Sequence, residues 1–273
     1  MNNLPAHETK DIDTLDYLLP SGARVVIQQD NETADSTGRT IWLGAQILAV
    51  YLHDLLGPSA GLVASTEGRK RRPKVIDVGA GTGLSSLSLA SMGYDVLSTD
   101  LGIIVDGVLS QNIEANARSL KLNSFGQPRM QTKVLDWFQN PEEWRWTSSV
   151  EEPLVPPFDL IVTADTVYDS SLSQPLLRTL HALSTASNPS STSLIRRISS
   201  SSLPPIYLAL EARDPALIAN FIESAERDWN FKCSRVDHGR LKKLVESKAG
   251  GLGWEDESVW EGVEVWKLKL RKR

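Results

Sequence analysis

The stretch from Val75 to Leu84 places the strongest constraint on how this chain can fold. It reads VIDVGAGTGL, an apolar run with one acid that leads into glycines at alternate positions. The apolar run indicates a buried strand, and residues 84–91 after it indicate a helix. The glycines permit a tight turn and let a ligand contact bare backbone, while the helix start directs free N–H groups at that ligand. The sequence therefore predicts a strand, a turn and a helix that bind a nucleotide-like ligand; an ordinary glycine-rich turn is the alternative.

The spacing of the glycines narrows the class of ligand. A dinucleotide fingerprint requires a glycine where this chain has Leu84, and a phosphate-binding P-loop requires a lysine that residues 83–85 lack. The spacing Asp-x-Gly-x-Gly-x-Gly, from Asp77 to Gly83, resembles instead the first motif of the seven-strand methyltransferases that use S-adenosylmethionine.

Length and composition exclude several classes of protein. The 273 residues could form one α/β domain or two small ones, and the net charge of −5 argues against non-specific binding to nucleic acid and favours a basic substrate. A single cysteine, Cys233, excludes an intramolecular disulfide and a cysteine zinc cluster, and the four histidines lie far apart without metal-ligand spacing. We find neither a signal peptide nor an apolar run that could span a membrane, so we expect a soluble intracellular protein.

Acids also follow the next two predicted strands. Asp100 ends the strand 94–100, at the distance from the glycines where an acid binds ribose hydroxyls; a helix cap is the alternative. Asp136 and Trp137 end the strand 131–135 and could hold an adenine amine and its ring. Their alternatives are a turn aspartate and a core tryptophan. Because the ends of parallel strands line one crevice, we expect these side chains beside the glycine turn.

A second informative stretch follows the apolar run 158–164, which indicates a central strand covered on both faces. Ala164 at its end is expected among the cofactor contacts. Asp165 and Tyr168, three positions apart, can both face the crevice across a tight turn. Base-modifying amino-methyltransferases usually have two prolines between these positions, where this chain has Thr-Val, so that alternative is weaker. Trp42 lies in the first turn of a predicted helix that packs on the sheet; a packing role is its alternative.

Five features in chain order carry a family resemblance. They are Gly38 with Trp42, the glycine motif, Asp100, Asp136-Trp137 and Asp165-x-x-Tyr168. Together they resemble the family-16 methyltransferase-like enzymes, non-histone protein-lysine methyltransferases of the seven-strand class. The resemblance extends over residues 15–270, and the runs 165–169, 208–213 and 265–268 are most similar to the methyltransferase-like twenty-two branch.

The resemblance implies an α/β fold with a doubly wound seven-strand sheet, mostly parallel with a C-terminal antiparallel hairpin at 231–236 and 263–270. It implies S-adenosylmethionine as cofactor and a protein lysine as methyl acceptor. Asp165 and Tyr168 would border the lysine channel. The cofactor contacts would be Gly79, Gly81 and Gly83 at the methionine end, Asp77 at its ammonium, Asp100 on the ribose, Asp136 and Trp137 on the adenine, and Trp42 closing over the cofactor.

We expect residues 1–22 to be a flexible segment and residues 23–273 to form one domain, with a serine-rich disordered insert at 184–202. The basic run 69–74 indicates a solvated edge, with a nuclear-import signal as the alternative. We expect a monomer in the cytoplasm or nucleus, without nucleic-acid, membrane or metal binding. A small-molecule N-methyltransferase and a non-catalytic module with the same fold remain alternative functions.

Overall fold

A computed structural model describes residues 3–30, 37–58, 62–64, 70–120, 127–146, 152–188 and 203–272. Strands and helices alternate through most of the chain, as the sequence predicts. The strands are β1 Thr14–Leu18, β2 Arg24–Gln28, β3 Val63–Ala64, β4 Lys70–Arg71, β5 Lys74–Val78, β6 Asp95–Asp100, β7 Met130–Val134, β8 Leu160–Ala164, β9 Ile206–Glu211, β10 Phe231–Arg235 and β11 Val263–Leu270. The helices are α1 Leu43–Leu56, α2 Leu84–Ser91, α3 Gly102–Ile104, a π-helical segment Val105–Leu109, α4 Ser110–Ala117, α5 Ser170–Ala186, α6 Pro215–Arg227 and α7 His238–Glu246. Among the described residues, short 3₁₀ helices span Ala6–Glu8, Pro141–Glu143 and Glu257–Val259.

Seven strands form one sheet in the order β10-β11-β9-β8-β5-β6-β7. The pairs from β9 to β7 are parallel, whereas β11 runs antiparallel to both β9 and β10. This confirms the predicted doubly wound sheet with its C-terminal antiparallel hairpin. After β5 the chain adds β6 and β7 on one side of the sheet, and after β8 it adds β9 on the other side. The carboxyl ends of the neighbours β5 and β8 therefore form the topological switch point, where α/β proteins bind ligands.

Two apolar cores cover the two faces of this sheet, because neighbouring strand residues point to opposite sides. In β9, Tyr207 and Ala209 belong to the core beneath α1, α2, α4 and α7, whereas Leu208 and Leu210 belong to the core beneath α5 and α6. All four are buried. A strand buried on both faces explains the near-continuous apolar runs of the sequence.

The expectation that residues 1–22 are flexible is wrong for the part that the structure describes, residues 3–22. β1 pairs antiparallel with β2, and Tyr17 and Leu19 are buried in the core beneath α1. The indole Nε1 of Trp254 donates to the backbone oxygen of Asn3 at 2.7 Å. The polar composition of this segment suggested flexibility, but the segment is held by contacts with distant parts of the chain, which composition does not show.

Two asparagines of α4 hold the β1–β2 hairpin against the domain. Asn112 and Asn116 lie one turn apart on the same helix face. The N–H of Val26 donates to Asn116 Oδ1 at 2.9 Å, and the N–H of Gln28 donates to Asn112 Oδ1 at 2.7 Å. Their amide nitrogens return the bonds to the carbonyl oxygens of the same two residues. The asparagine amides therefore take the place of a neighbouring strand along β2.

Other differences from the sequence expectations concern element ends. The apolar spacing of residues 103–122 predicts one continuous helix. In the structure this stretch contains the π-helical segment around Gly107, whose φ of −98° and ψ of −120° are not helical. Helix α5 continues to Ala186, and Ser184 and Ser187 are buried, so the predicted disordered insert does not begin at 184. Its remainder, 189–202, and the last two residues of the predicted helix 103–122 lie outside the described residues.

Two side chains of the basic run, Arg71 and Lys74, are bound to the fold, whereas Lys70 is exposed. The guanidinium of Arg71 donates to both carboxylate oxygens of Asp159 at 2.6 and 2.9 Å, and Lys74 Nζ donates to the oxygen of Val155 at 2.6 Å. Burial lowers the pKa of Lys74 to about 8. None of the helices that the described residues form is long and apolar enough to cross a membrane.

Candidate active site

A cavity of about 320 Å³ opens at the carboxyl ends of the central strands. This size lies within the range of small-molecule sites. The cavity is lined by the turns after β5 and β8, the ends of β6 and β9, and the segment before α1. Nine of the eleven residues predicted from the sequence line it: Trp42, Asp77, Gly79, Gly81, Asp100, Trp137, Ala164, Asp165 and Tyr168. Gly83 and Asp136 do not.

The glycine turn is shaped by backbone angles and by close walls. Gly79 and Gly81 have φ values of +70° and +56°, which side chains other than glycine disfavour. A Cβ on Gly79 would lie 2.6 Å from Cγ2 of Thr166 and 3.0 Å from Cζ2 of Trp137. A Cβ on Gly81 would lie 3.0 Å from the oxygen of Gly38. A side chain at either position would therefore collide with the neighbouring residues, and its absence leaves the backbone of the turn open to the cavity.

Gly83 has a different role from the one predicted. It begins α2 with a φ of +85°, and a Cβ there would meet side-chain carbons of Leu109 at 3.1 Å and of Ile113 at 3.3 Å. The third glycine of the motif is therefore required by packing behind the turn and by the helix start. Spacing alone could not separate this role from ligand contact.

Asp77 lies at the inner wall of the cavity and is 1% exposed. The hydroxyl of Ser98 donates to Oγ of Ser86, and the Ser86 hydroxyl donates to Oδ2 of Asp77, both at 2.7 Å. Burial raises the pKa of Asp77 to about 7, although the Ser86 bond opposes this shift. The carboxyl group is thus held in a fixed orientation and is able to carry a charge near neutral pH.

Asp100 fixes the glycine turn as well as lining the cavity. Its Oδ2 accepts from the N–H of Gly81 and its Oδ1 accepts from the N–H of Leu101, each at 2.8 Å. Burial raises the pKa of Asp100, while these two bonds lower it. Because each carboxylate oxygen can accept two hydrogen bonds, capacity for two further donors remains. The backbone role and the predicted ribose role are therefore compatible.

Trp137 lines the cavity, but its neighbour Asp136 does not. Oδ1 of Asp136 accepts from the N–H of Phe138 at 2.8 Å, so the alternative of a turn aspartate describes this residue. Trp144 and Trp146 pack with each other, at 6.0 Å between ring centroids, and Trp146 packs on Phe158, away from the cavity.

Arg178 of α5 holds the turn that carries Trp137. Its Nη2 donates to the carbonyl oxygens of Trp137, Phe138 and Gln139 at 2.7, 3.0 and 3.3 Å. One guanidinium thus fixes three successive peptide groups beside the cavity. Sequence reasoning missed this residue because it lies 41 positions further along the chain, in an ordinary amphipathic helix.

Asp165 connects the end of β8 with the start of α1. It adopts a φ of +55°, a conformation that aspartate tolerates better than most residues, and its Oδ2 accepts from the N–H of Ala45 at 3.1 Å. A Cβ on Gly44 would lie 2.5 Å from both carboxylate oxygens of Asp165. Burial raises the pKa of Asp165 to about 7, and the Ala45 bond opposes the shift. Trp42, predicted in the first turn of α1, instead caps it in an extended conformation.

Tyr168 lies at the rim of the cavity with 55% of its surface exposed, and its hydroxyl accepts from Thr37 Oγ1 at 3.0 Å. Beside it, the end of β9 contributes Glu211, Arg213 and Asp214, none of which was predicted as a site residue. Nη2 of Arg213 lies 2.5 Å from Oε2 of Glu211. The sequence does contain a signal for Glu211, because β9 ends on an acid in the same way as β6. Among the described residues, no cluster of three potential metal ligands is present.

Comparisons with known proteins agree with this geometry. The curated methyltransferase-like protein 22 of Mus musculus is 26% identical over 155 residues, which cover 55% of this chain and 36% of that protein. The protein N-lysine methyltransferase METTL21A of Mus musculus is 33% identical over 144 residues, which cover 51% of this chain and 52% of that protein. The chain thus spans about a third to a half of the length of these relatives.

A putative SAM-dependent methyltransferase from Streptococcus mutans shares the fold, with a TM-score of 0.50 at 16% identity over 94% of this chain and 56% of the other. The model of a family described as lysine methyltransferase matches residues 22–202, which is more than half of the chain. This match confirms the family inferred from the motifs: the chain belongs to the lysine methyltransferase family.

Proposed function

We propose that the protein is an S-adenosylmethionine-dependent protein-lysine N-methyltransferase that acts on a non-histone protein. The observation that carries this proposal is the arrangement of one cavity. It joins the glycine turn and Asp100 at one end to Asp165 and Tyr168 at the other, and Trp42, which we assign to closing over the cofactor, also lines it. A cofactor site and an acceptor site are therefore contiguous, as transfer of a group between two bound molecules requires.

The cavity fits the cofactor because its inner wall offers open backbone where any Cβ would collide, with carboxylates and an indole around it. We assign Gly79 and Gly81 to the methionine end, Asp77 to the ammonium group, Asp100 to the ribose hydroxyls and Trp137 to the adenine ring. The cofactor, when bound, supplies an electrophilic methyl group. The chain's own task is to hold the acceptor nitrogen in line with that group, and such positioning contributes on the order of 7–11 kcal/mol.

The outer end of the cavity suits a lysine side chain. Asp165 and Asp214 line it with carboxylates, which attract an ammonium group, whereas Glu211 is paired there with Arg213. The ring of Tyr168 offers a π-face for the ammonium group. A lysine must lose its proton before it can accept a methyl group, and burial lowers its pKa. A carboxylate beside the amine would raise that pKa. We therefore assign Asp165 to positioning, in keeping with the bond that its Oδ2 accepts from α1.

Transfer of labelled methyl groups to lysate proteins tests the proposal. Lysate from cells that lack this protein is incubated with tritiated S-adenosylmethionine and the purified chain, and labelled bands are analysed by mass spectrometry. We expect one or a few labelled proteins, methylated on lysine. Tyr168→Ala should abolish the label without lowering the melting temperature, because the side chain is exposed. Phe138→Ala is the matched control, since Phe138 is 61% exposed and does not line the cavity.

Three results would contradict parts of this assignment. Wild-type labelling by Tyr168→Ala would refute the acceptor site. Label in a soluble metabolite rather than in a protein would favour a small-molecule N-methyltransferase. Absence of cofactor binding in isothermal titration would favour a non-catalytic module.

We further propose that the protein works as a monomer in the cytoplasm or nucleus, without binding nucleic acid or membranes. The net charge of −5 and the presence of a single cysteine support this proposal. The pairing of Arg71 with Asp159 speaks against a freely presented import signal. Light scattering after gel filtration, and fractionation of cells that express the tagged protein, test it; a dimer or a membrane-bound pool would contradict it.

A further inference from the structure

A second cavity, of about 350 Å³, adjoins the first one. The side chains of Trp42, Glu211 and Arg213 line both cavities, so these three residues form the partition between them. The other side is lined by Ala6 and His7 of the 3₁₀ helix Ala6–Glu8, by Lys10, and by Ser258 and Val259 of the 3₁₀ helix Glu257–Val259.

The charge of the second cavity differs from that of the acceptor end of the first. Its charged and titratable lining groups are His7, Lys10, Glu211 and Arg213. Glu211 and Arg213 form an ion pair at 2.5 Å and largely neutralise each other. Lys10 then supplies a positive charge, and its Nζ lies 4.7 Å from the ring centroid of Trp42. The neighbouring acceptor end carries the carboxylates Asp165 and Asp214 instead.

Trp42 is the structural link between the two sites. Lys10 Nζ lies over its ring at 4.7 Å, and the guanidinium carbon of Arg213 lies at 5.0 Å from the same centroid. When a lysine of the acceptor polypeptide lies in the first cavity, the residues that flank it must lie on the protein surface around that cavity. The second cavity lies on the other side of Trp42. Because an extended chain advances about 3.3 Å per residue, positions close in sequence to that lysine reach the second cavity.

Resting on the proposed function, we propose that the second cavity binds an acidic side chain of the acceptor polypeptide, a few residues from the target lysine. The ammonium of Lys10 attracts a carboxylate, and the guanidinium of Arg213, which gives one hydrogen bond to Glu211, has further N–H groups that can donate to it. A basic side chain at the same position meets Lys10 and is disfavoured. The two cavities together therefore select a lysine that has an acidic residue a few positions away.

A positional peptide library tests this specificity. Nine-residue peptides carry a central lysine, one flanking position at a time is fixed as Glu, Ala or Lys, and the other positions are mixed. Tritiated methyl transfer is measured with the wild type, Lys10→Gln, Lys10→Glu and the control Lys232→Glu. Lys232 is an exposed lysine of β10 that lines neither cavity.

We expect the wild type and Lys232→Glu to prefer Glu over Ala by roughly tenfold at one or two flanking positions. Lys10→Gln should lose that preference, and Lys10→Glu should reverse it toward Lys at the same positions. If the wild type methylates the library without preference, or if Lys10→Glu keeps the wild-type preference, the subsite is refuted while the proposed function stands. If the wild type labels no peptide and no lysate protein, the proposed function fails and the subsite with it.

Discussion

Replacement of Gly44 by alanine tests whether the contact between Asp165 and α1 organises the acceptor side. The new Cβ would lie 2.5 Å from both carboxylate oxygens, a distance that forces the carboxylate away from the helix start. The bond from the Ala45 N–H is then lost. A hydrogen bond to a charged group contributes about 1.5–3 kcal/mol, whereas the replacement of glycine in a helix gains about 0.5–1 kcal/mol. We expect Gly44→Ala to lower the free energy of unfolding by about 1–2 kcal/mol.

A double-mutant cycle separates this contact from a general effect of the substitution. In the Asp165→Ala background the colliding carboxylate is absent, so Gly44→Ala should stabilise the protein by about 0.5 kcal/mol. The coupling free energy between the two positions is then about 2 kcal/mol, which urea unfolding of the four proteins resolves. Gly239→Ala is the matched control. Gly239 is also the second residue of a helix beside a carboxylate, but its Cβ would lie 3.1 Å from Asp237 Oδ1. That variant should change stability by less than about 0.5 kcal/mol.

A coupling free energy near zero would refute this reasoning. It would mean that Asp165 can leave the start of α1 without cost and that the short distance at Gly44 has no energetic role. The same four proteins should also be tested for methyl transfer. We expect Gly44→Ala to lower kcat more than it weakens cofactor binding, because the displaced carboxylate belongs to the acceptor end of the cavity.

Three further outcomes are expected. Folding raises the pKa of Asp77 from its ordinary value of 3.8 to about 7, so the folded state holds the extra proton and this contribution to stability is lost as pH rises from about 4 to about 7. Asp77→Asn should remove this pH dependence of the unfolding free energy, which amounts to at most about 4 kcal/mol at 1.36 kcal/mol per pKa unit. If the difference in urea stability between pH 5 and pH 8 is the same in the variant, the raised pKa of Asp77 is contradicted. Arg178→Met should loosen the turn of Trp137 and weaken cofactor binding roughly tenfold in isothermal titration, with partial recovery in Arg178→Lys; unchanged affinity in both variants would disprove the positioning role. Asp100→Asn should lower stability by about 1.5–3 kcal/mol, because one of the two backbone N–H groups then faces an amide nitrogen that cannot accept and the other keeps only a neutral acceptor. A neutral effect in thermal or urea unfolding would show that the turn does not depend on Asp100.

The sequence predicted those parts of the site that local patterns encode. The glycine turn after β5 and Asp100 at the end of β6 were found because the end of a buried parallel strand is visible as an apolar run that stops at a polar residue. Asp165 and Tyr168 were found in the same way. These four features define most of the cavity wall, and the order of the strands places them together.

The remaining parts of the site depend on contacts between distant segments, which no short pattern shows. Arg178 acts on a turn 41 residues away, and the need for glycine at Gly44 arises only when Asp165 is placed against it. Gly83 and Asp136 show the converse. Each belongs to a recognised motif, yet the detailed path of the backbone directs one toward the core and the other into its own turn.

The docking of the N-terminal segment has a consequence for the order in which the chain folds during synthesis. β2 leaves the ribosome early, but its partners Asn112 and Asn116 follow 84 and 90 residues later, and the indole that binds Asn3 follows 251 residues later. Contacts over such sequence separations form late and slowly. Until α4 has left the ribosome, the backbone groups of β2 that Asn112 and Asn116 bind are therefore uncovered, and an uncovered strand edge can pair with other chains.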